Sequence, residues 1–413
     1  MAPWSPEEKL GDSSFTGGFL IEKLKENCGN FKEIEKNFDV IEIKAKDISE
    51  GSGYLSKVYK CDFTFAPKDH ENPVPTFSVI LKEPGMQCVE DAMGSFTDDK
   101  EGSKAALETM DHWVTLMHKN ESTVYTHLPS ENLPIAEFYG SGERIAKQKA
   151  GYLIMEYLEG GYFPELHEGL NFKQAKNLLD FVIDVQVAAI KSGDWWKTGL
   201  SEMNFGEDQD PNFVNSMMEK LVKGKNERFV ELVAIYKKIL SDKDTCVNAA
   251  GRDYINSGLP KIFTHGDMWT NNISFKVDPV THKITDEIRA VIDWQIASNS
   301  NPFVDIERIL LMCCSPEVRR SLEKNIVEYY IDELQKRLGE KSGELSLKKD
   351  EIEKCKKYAE ATNLVFFIFM SIIHYREDNP ETKKKQDIVL ERLQEVMEDL
   401  LPMMKEDFPQ YLS

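Results

Sequence analysis

An α+β protein of two lobes, with a β-rich front and a mostly helical back, is the fold class that the sequence predicts. Strand signals and turns concentrate in about the first 155 residues. Beyond them, apolar residues recur at three- and four-residue spacing, the pattern of amphipathic helices. A compact strand-and-loop block from Lys261 to Asp305 interrupts those helices. Packed lobes of this kind leave a cleft between them, where small ligands bind.

In the front, Lys57-Val-Tyr-Lys-Cys-Asp-Phe-Thr-Phe65 alternates and is rich in β-branched and aromatic residues, so it reads as a strand. Phe77-Ser-Val-Ile-Leu-Lys82 is a second, bounded by Pro75 and by Pro84-Gly85. The polar, acidic stretch between Met86 and Lys104 is expected to be an irregular insertion. One helix is expected, from Ala105 to Leu128. Gly151-Tyr-Leu-Ile-Met-Glu-Tyr-Leu158 reads as a buried strand running into the Glu159–Gly161 loop. The boundary falls there, giving lobes 1–158 and 159–413. In the back, helical patterns cover 172–192, 211–241, 316–338, 349–376 and 384–405.

The 51 basic and 71 acidic side chains leave a formal charge of −20. Nucleic-acid binding needs a basic stripe, so that class is excluded. The longest apolar run, Leu364 to Ile373, is about half the length of a spanning helix. Met-Ala-Pro-Trp at the start shows no charged-then-apolar leader, so a cytoplasmic location is expected. Seven scattered cysteines without CxxC spacing fit free thiols in a reducing compartment.

The strongest chemical signal is His265-Gly266-Asp267 followed by Asn272, an H-G-D-x-x-x-x-N pattern. Asp293 lies 21 residues beyond Asn272, at the end of the apolar strand Ala290-Val-Ile-Asp293. Phosphoryl transfer requires magnesium held by hard oxygen ligands, which Asn272 and Asp293 can supply. Asp267, on the tight loop, suits a base that accepts the proton of an attacking hydroxyl. His265 is expected to brace the loop. Loops carry Asp, Asn and Gly for turn chemistry alone, but the register with Asp293 favours the catalytic reading.

Gly51, Ser52 and Gly53 precede the first strand, where backbone N–H groups could approach phosphates. Any hairpin can carry two glycines, so this feature is weak by itself. Lys82 ends its apolar strand and could simply be the first exposed residue. Glu121 is more telling, because it falls on the helix stripe of Leu107, Met110, Val114, Met117, Val124 and Leu128. A carboxylate on a buried stripe needs a partner, and Lys82 is the natural one.

These segments, with Val79-Ile-Leu-Lys82, Asn120-Glu-Ser-Thr-Val-Tyr125, Ile292-Asp-Trp-Gln295 and Asn301-Pro-Phe-Val-Asp305, resemble the ecdysteroid-kinase-like (CHK-type) family, in its nematode branch. That family belongs to the protein-kinase-like superfamily and is related to choline kinases and aminoglycoside phosphotransferases. The resemblance runs from about residue 35 to about residue 400. It implies a protein-kinase-like fold and an ATP- and Mg²⁺-dependent phosphotransferase. Its acceptor would be a hydroxyl of a small, lipophilic molecule such as a steroid or a glycosylated metabolite. It further implies Lys82 on the ATP phosphates with Glu121 as ion-pair partner, Asp267 as catalytic base, and Asn272 and Asp293 as metal ligands. Glu156 to Leu158 would form the adenine hinge, with Met155 behind it, and Asp305 would anchor the catalytic loop.

Gly266 stands where protein kinases carry the arginine of H-R-D, and too few residues follow Asp293 for an activation loop. Both departures point away from peptide substrates. Trp195, Trp196, Phe366, Phe367, Phe369 and Tyr375 could line an apolar pocket, although such aromatics are more often core. Two other readings stand beside the first: a catalytically silent kinase-like binding protein, and a choline- or ethanolamine-type kinase with a cation pocket.

Overall fold

The computed structural model describes residues 4–49, 55–69, 73–85, 100–201, 211–344, 347–374 and 379–413. Gly51, Ser52 and Gly53, residues 86–99 of the expected insertion, and Tyr375 lie outside the described residues. Residues 1–126 with 135–159 form one compact unit, and 127–134 with 160–413 form a second. The α+β class is as the sequence predicts, with an antiparallel sheet in the first unit and mostly helix in the second.

The first unit opens with two helices that the sequence pattern does not reveal, α1 (Gly17–Asn27) and α2 (Gly29–Asn37). Each is below the ~12–15 residues at which an isolated helix is even marginal in water, so tertiary burial decides their formation. Leu20, Leu24 and Phe31 provide it, within the core of the sheet. The sheet contains β1 (Phe38–Asp47), β2 (Ser56–Pro67) and β3 (Phe77–Pro84). After α3 (Lys100–His127) come β4 (Phe138–Gly142) and β5 (Tyr152–Glu156), and the strand order is β1-β2-β3-β5-β4. Phe31, Phe63 and Phe77 meet pairwise with ring centres 5.3–5.5 Å apart. Helix α3 begins at Lys100, so the last residues of the expected insertion are helical.

The second unit begins with β6 (Gly161–Tyr162) and α4 (Phe172–Lys191), the latter opened by a capping box between Asn171 and Gln174. The pattern over 211–241 predicts one helix, but three form: Pro211–Val222, Glu227–Ile235 and Lys237–Ser241. The first break follows from Gly224 at φ +74° and from Asn226, whose side chain caps the next helix by accepting from the Phe229 N–H at 2.8 Å. The strand-and-loop block supplies β7 (Ile262–Thr264), β8 (Ile273–Val277), β9 (Ile284–Val291) and β10 (Ser298–Ser300). Strand β7 pairs with β10, while β8 lies between β6 and β9. Helix α5 (Val304–Arg308) runs into a π-helical turn at Ile309–Cys313. Helices α6 (Pro316–Glu323), α7 (Ile326–Leu338), α8 (Lys349–Ile373) and α9 (Pro380–Asp407) complete the unit. No helix among the described residues is long and apolar enough to cross a membrane. All six described cysteines are buried free thiols.

Three charged residues of α5 point into the interior: Asp305, Glu307 and Arg308 are each no more than 2% exposed. Glu307 has the Lys356 ammonium 3.6 Å away, and its carboxylate lies within 4.8 Å of those of Glu323 and Glu360. Burial and the neighbouring carboxylates push its pKa up to about 8, against the pull of Lys356 and Arg319. The folded chain therefore binds a proton here that the unfolded chain releases near 4.5, and this site loses stability as pH rises from there toward 8. Glu307→Gln should gain stability relative to the parent between pH 5 and 8.5, read as the urea midpoint at both values. An equal difference at the two pH values would show that Glu307 is charged throughout.

Candidate functional site

Strand β7 carries the chain into His265-Gly266-Asp267, and Asp305 at the start of α5 fixes the backbone there. Its carboxylate accepts from the His265 N–H at 2.7 Å and from the Gly266 N–H at 2.8 Å. The His265 ring Nδ1 accepts from the Asp267 N–H at 3.1 Å, so Nε2 holds the proton and donates to the Ile292 carbonyl at 3.0 Å. His265 is thus a brace between the loop and the end of β9, with its ring 4.5 Å from the buried Trp294. Neither ring nitrogen is left to act as a base.

Gly266 adopts φ +82°, and a Cβ added there would lie 2.6 Å from the Ile296 carbonyl oxygen. No arginine, nor any side chain, fits this position of the loop without moving backbone. The absence of the protein-kinase arginine therefore has a steric cause here. Gly266→Ala should cost at least about 1–3 kcal/mol, the usual toll of a non-glycine residue in this conformation. Thermal unfolding would measure it, and an unchanged midpoint would contradict the clash.

The β8–β9 hairpin brings Asn272 and Asp293 to one end. Ile273 pairs with Val291, and the Ile292 N–H donates to the Asn272 carbonyl at 3.0 Å. Asn272 thus precedes β8 directly opposite Ile292, one residue before Asp293. Asp293 itself has φ +68°, a conformation uncommon outside glycine and sustained only where its surroundings impose it. The Asn272 amide donates to the Asp267 carbonyl at 2.9 Å and to its carboxylate at 3.0 Å. The Asn272 side-chain oxygen and the Asp293 carboxylate are hard-oxygen donors of the type that could hold Mg²⁺.

Among the described residues, Asp267 accepts three side-chain bonds. Arg308 Nη1 donates to Oδ1 at 3.1 Å, while Trp269 Nε1, at 3.2 Å, and Asn272 donate to Oδ2. Loss of water raises its pKa, and Asp293 adds to the rise. The Arg308 guanidinium and the Asn272 bond oppose it. Arg308 stacks 4.0 Å from the centre of the Phe366 ring and donates through Nε to Asn363 on α8.

In the first unit, Lys82 pairs with Val58 of β2 and Leu153 of β5, so it lies inside the sheet and not at its end. It is 9% exposed, and its ammonium meets both oxygens of the 1% exposed Glu121 at 3.0 and 2.8 Å. Met155, buried on β5, pairs with Ile80. The Glu156 N–H is already bonded to the Glu137 carbonyl at 2.9 Å, and Leu158 is half-buried just beyond the strand.

The structure thus joins Lys82 to Glu121 in one unit, and Asp267, Asn272 and Asp293 in the other. Arg308 and Asn363 are contacts that the motif does not contain, while Trp269 lies within it. One signal was available: Asp305, Glu307 and Arg308 are charges set in an otherwise apolar stretch from Phe303 to Met312. Of the aromatics that could line a pocket or belong to the core, Trp196 and Phe367 are core residues, Trp195 packs on Phe263, and Phe366 carries Arg308.

In chain order the described residues give a strand lysine, a helix glutamate, the His265-Gly266-Asp267 loop, then an acid at a hairpin end. A choline kinase from Cryptosporidium parvum Iowa II is 12% identical, with 94% of this chain and 96% of that one covered at TM-score 0.46. A putative aminoglycoside phosphotransferase from Ralstonia eutropha JMP134 is 11% identical, with 92% and 96% covered at TM-score 0.41. The aminoglycoside phosphotransferase APH(4)-Ia, as a thermostable mutant in complex with ADP and hygromycin B, is 13% identical, with 92% and 97% covered at TM-score 0.39. The uncharacterized oxidoreductase dhs-27 of Caenorhabditis elegans is 21% identical over 341 residues, which make up 82% of this chain. The match spans 40% of the length of that relative. The family model described as "Uncharacterized oxidoreductase dhs-27" matches residues 34–407, nearly the whole sequence, and the chain belongs to that family, DUF1679.

Proposed function

We propose that the chain is a small-molecule kinase of the ecdysteroid-kinase-like type. It transfers the γ-phosphoryl group of ATP to a hydroxyl of a small, lipophilic acceptor such as a steroid or a glycosylated metabolite. The observation that carries this reading is the Asp267 carboxylate, held 3.0 Å from the Asn272 amide on a loop whose backbone Asp305 clamps. In the proposed reaction Asp267 takes the hydroxyl proton as the acceptor oxygen bonds to the γ-phosphorus and the bond to the ADP oxygen breaks. Lys82, oriented by Glu121, holds the α- and β-phosphates. Asn272 and Asp293 would hold Mg²⁺, which neutralises phosphate charge. The backbone beyond Met155, from Glu156 to Leu158, would receive the adenine, and Gly51, Ser52 and Gly53 would cover the phosphates.

The test is ADP release from Mg²⁺-ATP over a panel of steroids, glucosides and amino alcohols. Turnover that requires a hydroxylated acceptor supports the reading. Nucleotide-dependent thermal stabilisation without turnover would replace it with a silent binding protein, and turnover restricted to choline or ethanolamine with a choline-type kinase. Because dhs-27 is named an oxidoreductase, NAD(P)H oxidation over the same panel is the control. Hydride transfer without ATP use would overturn the proposal.

A further inference from the structure

Arg308 is 2% exposed, yet it spends its guanidinium on three partners outside its own helix. Nη1 donates to Asp267 Oδ1 at 3.1 Å, Nε donates to Asn363 Oδ1, and the ring face of Phe366 lies 4.0 Å away. Asn363 is itself immobilised, because its amide donates to the Val304 and Ala359 carbonyls, each at 2.9 Å. A rigid path therefore runs from α8 through Asn363 and Arg308 to Asp267.

The effect on Asp267 can be counted. A carboxylate offers about four acceptor positions, two on each oxygen. Trp269 Nε1 and Asn272 Nδ2 fill both on Oδ2, and Arg308 fills one on Oδ1. The remaining position is on Oδ1, beside the guanidinium. We propose that Arg308 is a positioning residue that fixes the rotation of the Asp267 carboxylate and reserves one lone pair of Oδ1 for the acceptor hydroxyl. The lysine alternative cannot do this. An ammonium is a point charge without the planar group that reaches Asn363 and Asp267 while stacking on Phe366. The catalytic part of the inference rests on the phosphotransfer reading, while the positioning part does not.

Two measurements test it on the full chain. Crystal structures of Arg308→Lys and Arg308→Gln should show the Asp267 carboxylate rotated off the Trp269 and Asn272 donors. A carboxylate left in place in both variants overturns the proposal, whatever the activity. With an acceptor in hand, Arg308→Lys should lower kcat on the order of 100-fold, the usual cost of misplacing a reacting group. KM for ATP should stay near the parent value. Guanidinium ion should restore at least about tenfold of kcat to Arg308→Gly, but nothing to a chain also carrying Asp267→Asn. A parental kcat in a folded Arg308→Lys chain, or rescue that merely follows thermal stability, would overturn it. If the parent turns over no acceptor, the phosphotransfer reading falls, and the carboxylate orientation still decides the role of Arg308.

Discussion

Asp267→Asn is expected to leave a folded chain whose ATP turnover has dropped by about 10²–10⁴-fold, the contribution of a positioned base. The substitution keeps the shape and removes the proton acceptor. It also sets the new amide either against the Trp269 and Asn272 donors or against Arg308, so a modest stability loss accompanies it. Coupled ADP detection beside a thermal melt separates the two effects, and turnover above a tenth of the parent would remove Asp267 from the mechanism. The pH profile adds a signed check. Burial raises the Asp267 pKa above its ordinary 3.8. The basic form is then lost as pH falls through that raised value, and the acid limb of kcat/KM should lie above the usual aspartate range.

Breaking the Lys82–Glu121 pair should have the largest effect on stability. Lys82→Met leaves a carboxylate that is 1% exposed without its ammonium, and Glu121→Leu leaves the converse. Either change should cost about 3–5 kcal/mol in urea unfolding, because it removes one member of a buried ion pair. The double variant Lys82→Met/Glu121→Leu should recover most of that loss, since apolar side chains can replace a buried pair with little penalty. It should nevertheless fail to bind ATP. A double variant as unstable as either single would show that the pair is not the dominant partnership of these residues. ATP binding retained in the double variant would instead remove Lys82 from the phosphates.

The pair illustrates how far a sequence can be read. Glu121 was conspicuous because a carboxylate falls between Val114 and Val124 on a stripe that is buried. Lys82 was more ambiguous, since the strand pattern could not distinguish an edge from the middle of a sheet. Only its pairing with both Val58 and Leu153 makes it internal. Helices α1 and α2 were illegible for a related reason: their local propensity is too weak to announce them, and Leu20, Leu24 and Phe31 form helix only by packing on strands that follow later in the chain.

The His265-Gly266-Asp267…Asn272 spacing and the apolar run before Asp293 determined by themselves that a loop and the end of a strand would present an acid, an amide and a second acid, although the strand ends at Val291, two residues before Asp293. Those features are local, and turn chemistry and strand alternation encode them within a few residues of one another. The tertiary structure alone decided why position 266 is glycine, because the obstructing Ile296 carbonyl arrives from a different segment. It alone also decided what holds Asp267. Arg308 lies 41 residues beyond it, and Asn363 lies 55 beyond Arg308. Hydrogen-bond geometry over such separations is written in the packing of α5 against α8, where no sequence periodicity records it.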